Sequence, residues 1–197
     1  MEPPKGFLHT DERRELVEAL SKVARELEAA QTDDYAWKWA IIAMQNAVQS
    51  AIVAAISGTD QLGALTKRAA REWLEAYEND RTDYPEPWLA SFLELYERMK
   101  TRTGFGASAE TDKDIKRLVE FRNDFMHFTP KGWSIELAGL PRILRNALSI
   151  VEHLGWNGHI LWYEEEDQEL AREHSGHIAT LLDSLEGHYA KEGFIAS

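Results

Sequence analysis

The chain has no cysteine. That removes disulfides, thiolate metal sites and a thiol nucleophile, and it suits a reducing compartment, so a cytoplasmic location is expected. The start, MEPPKGFLHTDERREL, lacks a basic stretch followed by an apolar run, so no signal peptide is expected. Positive charge is scarce: 22 Lys and Arg face 34 Asp and Glu, for a net charge of −12. Such a balance argues against general nucleic-acid binding, because neutralising phosphates takes Lys and Arg. Alternating strand patterns are nearly absent, which leaves helix as the dominant element.

Against that background, one long uncharged run stands out. Residues 39–59, WAIIAMQNAVQSAIVAAISGT, carry no charge, and about 20 apolar residues suffice to cross a bilayer. Gln45, Asn46, Gln49 and Ser50 fall near its middle, where lipid would leave them unsatisfied. Lys38 and Asp60 bracket it. It reads as the central helix of a globular bundle. Its polar patch reads either as a hydrogen-bonded helix contact or as part of a cleft lining, in which case Gln49 is a candidate substrate contact.

The 197 residues suit one domain, and a single domain over 1–197 is expected. Helical periods predict seven elements: 11–30 with Leu16, Leu20, Val23 and Leu27 on one face, then 34–57, 60–79, 87–101, a helix ending at Pro130, a helix from Pro141 to Gly155, and 161–189. Thr111 and Asp114 resemble a capping box at the start of the fifth. The predicted fold is all-α, an antiparallel bundle of about six or seven helices. Trp37, Trp73 and Trp88 fall at helical positions suited to a core. Trp133 and Trp162 suit either packing or stacking on a base.

Positive charge is unevenly placed. Residues 113–145 hold seven Lys or Arg against four acids, net +3 in a chain of −12. Within them, residues 120–128 read EFRNDFMHF. Drawn as a helix, Arg122 has Leu118, Val119, Phe125 and Met126 as i±3 and i±4 neighbours, with Ile115 a turn further back. A guanidinium that cannot lose its charge thus sits in an apolar stripe. It serves there either in a structural ion pair or as a working group.

The string RNDFMH at 122–127, on a late helix of an all-α chain, resembles the hallmark of the HEPN superfamily: an Arg followed four to six residues later by His, near a helix C-terminus. Arg122 and His127 match it, and Asn123 is the polar residue that commonly follows the Arg. The resemblance implies a metal-independent endoribonuclease needing no cofactor, in which His acts on the ribose 2′-hydroxyl or the leaving group and Arg holds the phosphate. Such a protein would be a toxin or defence effector, with RNA or nucleotide as ligand and an antitoxin as a possible kind of partner. The chemistry is coherent. Imidazole titrates near neutral pH and serves as base or acid, and a guanidinium fork matches phosphoryl oxygens.

Five residues along a helix amount to about 140° of rotation and about 7.5 Å of rise. One helix alone does not bring Arg122 and His127 together, whereas a two-fold axis can. HEPN ribonucleases are similar in building one composite site from two motifs, so a homodimer is expected. The candidate catalytic residues are therefore His127, Arg122 and Asn123, the last orienting the imidazole or binding substrate. Lys116 and Lys131 of the basic segment join Gln49 as candidate substrate contacts. The alternative is a non-catalytic HEPN-like nucleotide-binding or protein-interaction module using the same pocket. His174, His177, Glu169 and Glu173 have the spacing of metal ligands but lack a third convergent group, so they read as a solvated acidic face and no metal is expected. His153, His159 and His188 read as isolated.

Overall fold

The computed structural model describes residues 6–127, 130 and 132–191. Seven helices follow in order: α1 (Glu12–Ala29), α2 (Ala36–Ile56), α3 (Lys67–Glu78), α4 (Phe92–Thr103), α5 (Ala109–Met126), α6 (Leu140–Trp156) and α7 (Glu165–Lys191). The described residues contain no strand, only an isolated antiparallel bridge between Leu65 and Leu89. The fold is an all-α helical bundle.

Each helix forms for reasons visible in its residues. Asp11 caps α1, its carboxylate accepting from the backbone N–H groups of Arg13 and Arg14, both at 2.9 Å, which satisfies donors that have no partner inside the helix. Leu16, Leu20, Val23 and Leu27 line one face of α1 and are fully buried. The uncharged α2 is long and apolar enough to cross a membrane by length and composition. Here it is the hub of the bundle, packed against α1, α4, α5 and α6. Its core residues, from Trp37 through Ile41, Met44 and Val48 to Ile52, are at most 2% exposed. The Trp37 indole N–H donates to the Tyr189 hydroxyl at 2.9 Å, tying α2 to α7.

The stretch from 57 to 91 departs from the sequence expectation. A helix beginning near residue 60 is replaced by a turn, and α3 starts only at Lys67, with the Thr66 hydroxyl accepting from Ala69 N–H. The cause is a close approach. A Cβ on Gly63 would lie 1.8 Å from the Ile56 carbonyl oxygen and 2.5 Å from Arg102 Nη1, so the chain turns tightly there. Arg98 Nη1 donates to the Gly63 and Leu65 carbonyls at 3.1 and 2.6 Å, and Arg102 Nη1 to the Ile56 carbonyl at 2.7 Å. These two guanidiniums of α4 serve carbonyls that lack helical partners. The fourth helix likewise starts later than expected, at Phe92, capped by Ser91. Residues 85–90 lie outside any helix instead, and Trp88, expected in the core, is 67% exposed. Helix α3 packs on no other helix to a comparable extent. It covers a small separate cluster of Leu62, Leu65 and Ala69, against which the half-buried Trp73 packs.

Candidate functional site

Helix α5 is capped by Ser108, whose hydroxyl accepts from Thr111 N–H at 3.0 Å. The expected cap at Thr111 is displaced, because the helix starts one turn earlier and buries Thr111. Ile115, Leu118 and Phe121 then face the core. Cover thins toward the C-terminal end: Phe125 is half-buried and Met126 exposed. Arg122 sits where this change occurs and is itself half-buried.

The Arg122 guanidinium makes no ion pair among the described residues. Its Nη1 donates to the side-chain oxygen of Asn123 at 3.2 Å. Its Nε is shut off from solvent and has no hydrogen-bond partner there. A buried donor without an acceptor costs on the order of 1–3 kcal/mol. That Nε is also out of reach of a ligand from solvent in this conformation. Asn123 orients Arg122 and is not hydrogen-bonded to the His127 imidazole. His127 caps the helix, its backbone N–H donating to the Asn123 carbonyl at 2.8 Å, and its side chain is exposed. The three motif residues thus lie in one exposed to half-buried turn at the end of α5.

Two clefts border α5, and none of Arg122, Asn123 and His127 lines either. The first, about 760 Å³, lies between α5 and the start of α6. Lys113, Lys116, Arg117 and Arg142 line it together with Asp112, Asp114, Glu120 and Glu136, so its walls are formally neutral in a strongly acidic protein. Arg117 pairs with Glu120 at 2.9 Å and Arg142 with Glu110 at 2.6 Å. Lys113 and Lys116 have no ion-pair partner among the described residues. Asp114, only 2% exposed, accepts from Asn146 Nδ2 at 2.6 Å and meets Arg142 Nη1 at 3.1 Å. On the rim, Lys100 and the Tyr96 hydroxyl both donate to Asp112, at 2.9 and 2.8 Å. The hydrogen bond from Lys100, followed by that from Tyr96, holds the Asp112 carboxyl below the usual carboxylate range.

The second cleft, about 350 Å³, lies between the start of α2 and the segment after α5. Its walls include Phe125, Trp133, Tyr35 and Trp37, with Asp34 and Lys38 as charged groups. The Trp133 ring lies 4.9 Å from that of Phe125 and 6.4 Å from that of Phe121. This aromatic trio fixes the chain after the motif against α5. The sequence offered only part of it: Phe121 and Phe125 stand at helical spacing, but the return of Trp133 onto them depends on tertiary folding.

Of the other candidates, Lys116 lies in the first cleft, and Lys131 lies outside the described residues. Gln49 accepts from Gln45 Nε2 at 3.1 Å. Gln45 is buried, and its own carbonyl oxygen lacks a partner. The bond lies within α2 itself, between residues four apart. His177 Nε2 donates to the Glu28 carboxylate of α1 at 2.8 Å, and no group of three metal-ligating side chains occurs among the described residues. His153 and His159 are not isolated: their rings are 4.9 Å apart, with Phe105 packed on the first at 5.1 Å.

No protein-family model, curated protein or solved structure matches this chain.

Proposed function

We propose that the protein is a HEPN-like, metal-independent endoribonuclease of the cytoplasm, acting as a homodimer whose site combines two copies of the α5 end. The observation that supports this most is the Arg122 guanidinium, half-buried and making no ion pair among the described residues, with its Nη1 donating to Asn123. A phosphate oxygen is an acceptor of the right charge, and a guanidinium presents N–H donors in a plane that suits it. Asn123 holds the guanidinium from the side.

In the reaction, the His127 imidazole takes the proton of a ribose 2′-hydroxyl. The 2′-oxygen attacks the adjacent phosphorus, and the bond to the 5′-oxygen breaks. An imidazolium, supplied by the second copy, protonates that leaving oxygen, and a 2′,3′-cyclic phosphate remains. Arg122 stabilises the charge that builds on the phosphoryl oxygens. Lys113 and Lys116, with no ion-pair partner of their own among the described residues, supply contacts for the flanking backbone.

Incubation with mixed RNA in EDTA tests this directly. Wild type is expected to cleave, and His127→Ala to lose about 10²–10⁴-fold in rate, the usual contribution of a general acid or base. Arg122→Lys, which keeps the charge but removes the fork, should fall well below wild type. Equal cleavage by all three proteins would mark a contaminant and overturn the proposal, as would no cleavage by any.

A further inference from the structure

The aromatic cleft beside the motif has properties that phosphate binding does not use. Phe125 stands three residues after Arg122, so the two are neighbours on the helix surface. Phe125 and Trp133 line the cleft and Arg122 does not, so the guanidinium lies outside it, one step along the helix surface from its Phe125 wall. The cleft's volume of about 350 Å³ is at the small end of ligand pockets, a size for one flat ring system. Its walls include the aromatic side chains of Phe125 and Trp133 beside Ile135, Leu137 and Leu140, and bases stack on aromatic faces.

Its charged end narrows the choice. Asp34 is exposed, lines the cleft, and its carboxylate has no hydrogen bond or ion pair among the described residues. A carboxylate only accepts hydrogen bonds, through two parallel oxygens. Guanine presents two adjacent donors, N1–H and the N2 amino group, on one edge. Adenine, cytosine and uracil each set a donor beside an acceptor there, which would face a carboxylate oxygen across a repulsive contact.

We infer that the cleft bounded by Asp34, Phe125 and Trp133 is a guanine-selective base pocket, placing a guanosine nucleotide beside Arg122. The inference rests on Arg122 being a phosphate site and adds the base it serves. Asp34 is a specificity residue that does no chemistry. Trp133 supplies a stacking face.

Calorimetric titration with GMP, AMP, CMP and UMP in EDTA separates this from the cleavage reading. Wild type should bind GMP saturably and at least about tenfold tighter than the other three, the scale of one lost or mismatched polar contact. Asp34→Asn, an exposed and near-isosteric change, should bring all four to similar affinity. Trp133→Ala should weaken every nucleotide by about tenfold or more. Absence of GMP binding by wild type, or a guanine preference that survives Asp34→Asn, overturns the pocket even if RNA is cleaved. Asp34-dependent GMP binding without RNA cleavage leaves the pocket standing and removes the ribonuclease.

Discussion

Asp114 and Arg122 sit two turns apart on one helix, and the protein treats their charges in opposite ways. Asp114 is buried with its Oδ2 held by Asn146 and Arg142, whereas Arg122 keeps a buried donor without an acceptor. The first is the signature of structure, since a buried charge is tolerated when it is paired and hydrogen-bonded. Asp114→Ala strands Asn146 and frees Arg142. It is expected to destabilise the fold by about 1–3 kcal/mol, read as a drop in denaturation midpoint with unchanged slope. The motif string was legible in the sequence because its spacing and helix register are local. The pairing of Asp114 and the return of Trp133 were not. Each depends on a partner outside α5, 32 residues on in the case of Asn146, and nothing in a local pattern specifies such a partner.

Among the elements, α1, α2 and α5 to α7 follow their apolar periodicity closely, because each lays one face on a common core. The segment between α2 and α4 does not. Residues 60–66 mix the helix formers Gln61, Leu62, Ala64 and Leu65 with the poor ones Asp60, Gly63 and Thr66, and tertiary contacts decide against helix: Gly63 is pressed against the end of α2, and Arg98 and Arg102 of α4 occupy the carbonyls around it. Trp88 misled for a related reason. Its spacing from Phe92, Leu95 and Met99 suggests one helical face, yet it lies outside the helix, its N–H donating to the Glu86 carbonyl and its own carbonyl accepting from Thr66 N–H. Gly63→Ala forces a methyl group into the Ile56 carbonyl. A cost of about 1–3 kcal/mol is expected, the range for overpacking. Loss of helical ellipticity at lower temperature than wild type would register it, and an unchanged melting curve would contradict the close approach.

Over the whole molecule, pH acts through groups of opposite sign. Burial, and then the neighbouring imidazole of His153, hold His159 below the usual histidine range. A base with a depressed value stabilises the fold above its ordinary pKa of about 6.5, and that stability is lost as pH falls through the folded value. Glu152 runs the other way: burial raises it, only partly opposed by Arg145. Its contribution is present below the ordinary carboxylate range and lost as pH rises through the folded value. Calorimetry should show Glu152→Gln melting higher than wild type near neutrality and no higher in acid. His159→Gln should flatten the fall in melting temperature on mild acidification. A parallel shift at every pH would rule out both assignments.

The closure at the base of the α3 excursion has a practical result. Thr66 N–H meets the Trp88 carbonyl at 2.8 Å and Ala90 N–H the Ala64 carbonyl at 3.0 Å, so the chain leaves and re-enters at one spot, in the manner of a hairpin stem. A tight turn joining Thr66 to Trp88 would then excise residues 67–87 and leave the helical trunk its full hub. The same doorway would accept a foreign domain spliced in its place.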